Sequence, residues 1–246
     1  MLDPSFIFTG CVFALAGMVK GVIGLGLPTI AMGLLAIVMP PIQAAAILIL
    51  PSFVTNVWQM LAGPAFCVVL RRLWPMMLGV CLGTWAGLGL MTGAAARFGT
   101  ALLGVALALY AVGGLAAFQF AVPRTLEPIL SPVIGLITGV ITAATGVFVI
   151  PAVPYLQAIG LEKEELVQAL GLSFAVSTVA LSLNVAIEGG LQFQMAADTL
   201  VALALAGIGM GIGQSIRVRL SPAVFRRWFF VGLLLLGLYL VARSAI

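Results

Sequence analysis

The chain has 246 residues, 63% of them hydrophobic and 7% charged, with a mean hydropathy of +1.27 and a formal net charge of +4. A soluble domain carries about 25% charged residues, so this composition excludes one and describes a polytopic membrane protein. Histidine is absent, which removes histidine-dependent catalysis, haem ligation and the usual metal sites.

Only helices or a closed barrel can span a bilayer, because backbone groups there have no water to bond. Barrel strands alternate polar and apolar residues. The runs Ala44–Leu50 and Val231–Leu240 do not alternate, so the spans read as helices. Asp3 precedes the first apolar run where a signal peptide would carry a positive residue, and membrane structure is expected from Phe6 onward. Segment 1a covers about residues 5–23 and segment 1b about 27–39, followed by segments at about 42–62, 73–92 and 99–121. A link near Ala121–Pro128 joins the halves. Segment 5a then covers about 129–144 and 5b about 147–159, followed by about 165–187, 193–214 and 223–243. Glu162-Lys163-Glu164-Glu165 reads as the solvated start of a helix, where acidic residues suit the amino end.

Two glycine-and-proline interruptions punctuate these runs. The first is Gly17-Met-Val-Lys20-Gly21-Val-Ile-Gly24-Leu-Gly26-Leu-Pro28; the second runs from Gly135 through Thr138, Gly139, Thr142 and Thr145 to Gly146, with Pro151 beyond. Each lies near the start of one half. Paired interruptions in matching positions of two halves point to the binding site of a secondary transporter. Laying Gly26 on Gly146 needs no gap over several tens of residues, and brings Met39-Pro40-Pro41 onto Ile159-Gly160-Leu161. Ser52, Thr55 and Asn56 then fall beside Ser173, Ser177 and Thr178. Residues 1–122 and 123–246 are read as two repeats within one membrane domain.

Charge decides between two topologies. If 1a–1b and 5a–5b are hairpins, one face collects Arg71, Arg72, Arg124, Lys163, Arg217, Arg219, Arg226 and Arg227, and the other only Arg97 and Arg243. If each pair is one broken crossing, Arg71, Arg72, Arg124 and Arg243 move together against the other six. The hairpin arrangement fits the positive-inside rule better. It places both termini outside the cytoplasm and makes the halves inverted. Segments 1b and 5b, at roughly 13 residues, reach only about 20 Å. The expected fold is therefore an all-α polytopic membrane protein of two inverted repeats. Each is a broken-helix hairpin followed by three transmembrane helices, for roughly eight to ten membrane helices in all.

The breaks suggest anion chemistry. Pro28 suits the first turn of a helix, so Gly24–Leu27 is read as an amino end whose free N–H groups attract an anion, with Gly146 opening 5b in the same way. The candidate substrate-binding residues are Lys20, Gly21, Gly24, Gly26, Thr29, Asn56, Thr142, Thr145, Gly146, Ser173 and Ser177. Their structural alternatives are tight helix packing for the glycines and bonds to their own backbone for the threonines. Lys20 either pairs with an anion or snorkels to the cytoplasmic surface. Asp198 either carries a coupling proton or sits at the outer interface. Asn56, Gln59, Ser173, Ser177 and Asn184 line the path or bond helices together. Cys11, Cys67 and Cys81 show no C-x-x-C spacing and read as inert packing residues.

The Gly21, Gly24 and Gly26 stretch, its echo ending in Gly146 and Pro151, and the two-half plan resemble the sulfite exporter TauE/SafE family. The second half departs from the fuller pattern at Ala143-Ala144-Thr145. The resemblance implies a multi-pass transporter of the bacterial inner membrane that exports sulfite or a small organosulfonate such as sulfoacetate. An anion channel, or a transporter of another small organic anion, is the alternative. No enzyme is expected: no nucleophile–base pair stands near a carboxylate, and no nucleotide-binding loop is present. The partners implied are a small anion and membrane lipid, with no nucleic acid, no cofactor and no metal; a homodimer stays open.

Overall fold

With no water to satisfy the backbone, each apolar run closes its hydrogen bonds within itself. The computed structural model describes residues 4–92, 96–116, 121–192, 195–217 and 221–244. They form α1 (Pro4–Ile23), α2 (Leu27–Leu35), α3 (Pro41–Leu61), α4 (Phe66–Ala86), α5 (Ala96–Ala116), α6 (Glu127–Thr145), α7 (Ala152–Ala158), α8 (Lys163–Ile187), α9 (Ala196–Arg217) and α10 (Pro222–Ser244). Among the described residues there is no strand. All helices except α2 and α7 are long and apolar enough to cross a membrane, eight in total. The chain is a multi-pass helical membrane protein, as its composition demands. Residues 117–120 of the fifth expected segment and 193–194 of the ninth lie outside the described residues.

Three segments differ from expectation, the one expected at 73–92 at both ends, since its helix closes at Ala86. The helix expected at 73–92 is α4, which begins seven residues earlier at Phe66. The pair Arg71-Arg72 suggested a loop, yet both sit inside the helix. Arg71 is exposed, and Arg72 Nε and Nη2 donate to Glu127 at 2.9 and 2.7 Å, with a further bond to Ile159 O at 2.7 Å. Segment 1b shortens to α2, ending at Leu35. Segment 5b contracts to seven-residue α7, because residues 147–151 are non-helical.

Contacts along each helix pair set its direction. Gly17 packs on Ala206 and Gly21 on Met210 and Gly213, so α1 and α9 run parallel. Gly79 packs on Leu136 and Gly87 on Ala143, so α4 and α6 also run parallel. The α3–α8 pair is antiparallel: Gly190, just past α8, meets Ile42, Asn56 meets Thr178, and Gly63 meets Gln168. So is the α5–α10 pair, where Gly104 meets Gly237 and Gly114 meets Phe230. Asn184 bonds Thr84 O and Glu188 accepts from Gly89 N, so α8 runs with α4. Hence α6 and α8 point the same way, and the chain between them returns across the bundle. Exchanging helix n of one half for helix n of the other maps α1–α9 onto α6–α4 and leaves α3–α8 and α5–α10 unchanged.

The close pairs are seams of small residues. A Cβ on Gly17, Gly21, Gly209 or Gly213 would run into the backbone of the facing helix, and the same holds for Gly79, Gly83, Gly135 and Gly139 on the α4–α6 seam. Helix association in lipid rests on such contacts, since apolar tails compete with apolar side chains. Buried residues of α2 and the 147–159 stretch form the centre, with Phe148 against Phe174 at a ring separation of 5.2 Å.

Candidate functional site

The first break is built by two left-handed glycines. Gly24 N–H closes α1 on Lys20 O at 2.7 Å, and Gly24 has φ 76°. Gly26, at φ 108°, is the N-cap of α2, with Pro28 in the first turn as the sequence predicts. Thr29 Oγ1 donates to Gly26 O at 2.9 Å. The backbone therefore reverses over three residues, and α2 starts its return at once.

The second break differs. Gly146, at φ 70°, is the C-cap of α6, its N–H bonded to Thr142 O at 2.8 Å. It ends a helix rather than opening one, and α7 begins only at Ala152 behind Pro151. The expected matching helix amino end at Gly146 is thus absent. Thr138, Thr142 and Thr145 donate to the carbonyls of Ile134, Thr138 and Ile141, each at 2.7 Å. The alternative reading of these threonines holds. Gly146 does bring the two hairpins together, because a Cβ there would stand 2.8 Å from Met32 Cε of α2.

Lys20 lies one turn before the first break. Its side chain points inward and is 5% exposed; it does not snorkel. Nζ donates to Thr55 Oγ1 at 3.0 Å and to Asn56 Oδ1, both on α3. Asn56 Nδ2 passes the chain on to Thr178 Oγ1 of α8 at 3.4 Å, and Thr178 donates to Phe174 O at 2.6 Å. Thr55 donates to Pro51 O at 2.7 Å. Among the described residues Lys20 is the only Lys, Arg, Asp or Glu that is buried, and no carboxylate lies within ion-pair distance of it.

Three buried hydroxyls stand on the same two helices without partners: Ser52, Ser173 and Ser177. Ser52 is one turn from Asn56, Ser177 is next to Thr178, and Ser173 is one turn further. Buried polar groups are rarely left unbonded. A buried Lys20 head group with neutral partners, and three buried hydroxyls without partners on the two helices beside it, make a polar cluster whose chemistry suits an anion. It sits where α3 and α8 cross, between the Ile42–Gly190 contact at one end and the Gly63–Gln168 contact at the other.

Of the residues expected from the sequence, the structure gathers Lys20, Asn56, Ser173 and Ser177 on or beside this cluster. Gly21 faces α9 instead, and Gly24, Gly26 and Thr29 shape the turn. Thr142, Thr145 and Gly146 shape the second hairpin. Asp198 is half-buried in the first turn of α9. Gly213, which packs against Gly21, is 15 residues further along α9, about 22 Å at helical rise. Gln59 bonds Val167 O at 3.2 Å and Asn184 bonds Thr84 O at 3.0 Å, so these two fasten helices together. Ser52, Thr55 and Thr178 were not expected as site residues. For Ser52 the signal was its one-turn spacing from Asn56, which sets both on one helix face; Thr55 and Thr178 are the neighbours in sequence of the expected Asn56 and Ser177. The cysteines are not core packing residues: Cys11, Cys67 and Cys81 are all exposed on the outside of the bundle.

No curated protein and no solved structure matches the chain. The family model for Sulfite exporter TauE/SafE matches residues 9–240, spanning both hairpins, the polar cluster and nearly every membrane helix. The chain belongs to the sulfite exporter TauE/SafE family, and it is a membrane transporter of the sulfur-anion exporter type.

Proposed function

We propose that the chain exports a small sulfur-containing anion, sulfite or an organosulfonate such as sulfoacetate, across the bacterial inner membrane by alternating access, and that the anion binds at Lys20. The observation that carries this reading is the buried Lys20 head group with no carboxylate beside it. An isolated buried ion costs several kcal/mol unless a counter-charge joins it, and a substrate anion supplies that charge. Sulfite and sulfonate each present three oxygens. Ser52, Ser173 and Ser177 offer three hydroxyls with nothing else to bond.

The two halves are inverted repeats in this reading. The parallel α1–α9 and α4–α6 pairs and the antiparallel α3–α8 and α5–α10 pairs support it. The hairpins α1–α2 and α6–α7 rock against the remaining spans around the α3–α8 crossing, as repeat-built carriers do around a fixed site. The face where α4, α6 and α10 begin carries Arg71, Arg72, Arg124, Lys163, Arg217, Arg226 and Arg227; the opposite face carries Arg97 and Arg243. Arg219 lies outside the described residues. Positive-inside bias makes the first face cytoplasmic and both ends of the chain periplasmic. Export of an anion from a cell that is negative inside gains about 2.3 kcal/mol per charge per 100 mV, so a uniporter suffices without a coupling carboxylate.

Counterflow of labelled sulfite into proteoliposomes, with sulfoacetate and sulfate as competitors, tests this. Saturable uptake driven by internal unlabelled sulfite marks a carrier. Flux that neither saturates nor shows counterflow marks a channel. A dependence on an imposed pH gradient at fixed voltage rules out the uniporter.

A further inference from the structure

We infer that the cytoplasmic end of the α5–α10 pair is a binding site for the head group of an acidic phospholipid. A cavity of about 490 Å³ opens there between Gly114 and Leu115 of α5 and Ala223, Arg226, Arg227 and Val231 of α10. Its lining holds two arginines and no acid. Both arginines are exposed, and neither makes a hydrogen bond or ion pair among the described residues. A second cavity on this side of the bundle makes the contrast. It also holds two arginines, Arg72 and Arg124, but surrounds them with Glu127, Glu162 and Glu165, and Arg72 is already paired with Glu127 at 2.7 Å. Of these two cavities, the α5–α10 one presents positive charge without an acid in its lining.

Its surroundings select a lipid over a soluble anion. Trp228, beside the arginines, is 71% exposed, and indole side chains favour the head-group level of a membrane. The rest of the lining is small or aliphatic. Leu109, Val112, Leu235 and Leu238 continue outward-facing along the same two helices, so an acyl chain has an apolar track below a cationic head-group cradle. Basic pockets between helices at the cytoplasmic side bind acidic head groups on this principle. The floor is rigid. Gly114 lets the Phe230 ring press onto α5, and Phe230 packs edge-on against Tyr110 at 5.2 Å.

Native mass spectrometry of the detergent-purified full chain, titrated with phosphatidylglycerol or phosphatidylcholine, tests the site. Phosphatidylglycerol is expected to stay bound where phosphatidylcholine does not. Each arginine removed should weaken retention about fivefold, and the double variant Arg226→Gln/Arg227→Gln about thirtyfold. Ala223→Trp fills the cavity without changing charge and should give a comparable loss, whereas Arg71→Gln, exposed on the same face, should keep wild-type retention. Equal retention of the two lipids overturns the proposal. So does a double variant or an Ala223→Trp variant that elutes as folded protein and binds like wild type, or displacement of phosphatidylglycerol by inorganic phosphate at equal concentration.

Discussion

Replacing Lys20 by methionine keeps an unbranched side chain, one atom shorter, and removes the charge. Two hydrogen bonds go with it, to Thr55 at 3.0 Å and to Asn56. Thr55 keeps its bond to Pro51 O, but Asn56 Oδ1 loses its donor, a loss of about 1–3 kcal/mol for a buried group. Against this stands the desolvation of the buried ion, several kcal/mol, which methionine does not incur. The two effects nearly cancel or favour the variant, so the thermal unfolding midpoint should hold or rise. Transport should behave oppositely. Removing one member of a buried ion pair costs about 3–5 kcal/mol, which lowers affinity for the anion by about two to four orders of magnitude. Counterflow measured at sulfite well below wild-type half-saturation should therefore vanish from a protein that unfolds no earlier than wild type. Flux within a small factor of wild type would refute the assignment of Lys20 to the anion. Lost flux with an early, broadened transition would mean instead that Lys20 is structural.

Three further outcomes follow from the same geometry. Alanine at Ser52, Ser173 and Ser177 removes buried hydroxyls that lack partners, so each variant should be neutral or up to about 1 kcal/mol more stable, while sulfite counterflow falls; thermal unfolding and flux measured on one preparation separate the two. Gly24→Ala meets open space at φ 76° and should cost about 1–2 kcal/mol. Gly26→Ala meets Val19 Cγ1 at 2.9 Å as well as φ 108° and should cost more, which paired unfolding curves would order. In a cysteine-free background, Arg124→Cys should react with a membrane-impermeant maleimide only in inside-out vesicles and Gly189→Cys only in right-side-out ones; labelling of both from one side would overturn the assigned topology.

Much of the fold was legible because a bilayer leaves a chain few choices. Every apolar run long enough to cross became a helix, and glycine with proline marked both interruptions. Charge was the less faithful guide to boundaries. Arg71 and Arg72 read as loop, but Arg72 has its partner on α6, a contact that no local pattern announces. The second break misled for another reason. Glycine at positive φ serves equally to cap a helix at its amino or carboxyl side, and the choice at Gly146 depends on how far the following residues extend before helix resumes. The three exposed cysteines follow from lipid itself, since an outward face in a membrane is as apolar as the core. At the site, residue types were readable and partners were not. Lys20 was marked as either inward or snorkelling, and only packing against α3 decides.

The glycine stretch that dominates the sequence acts on this site at one remove. Gly17 and Gly21 are four residues apart and so share a helix face, which packs on Ala206, Met210 and Gly213 of α9. Lys20 is one position before Gly21, turned about 100° around the helix at 3.6 residues per turn, and that rotation directs it at α3. A bulkier residue at Gly17 or Gly21 would push α1 off α9 and displace Nζ from Thr55 and Asn56. Gly24 and Gly26 then end the helix one turn later, so that α2 turns back where α1 stops. Three demands meet within ten residues: a small face for docking, a cation on the adjoining face, and a left-handed reversal beyond it. The glycines hold the frame, and in the proposed function the chemistry falls to Lys20 and to the serines, threonines and asparagine of α3 and α8. Glycine marks the scaffold, while the polar partners of Lys20 lie on α3 and α8, outside the glycine stretch.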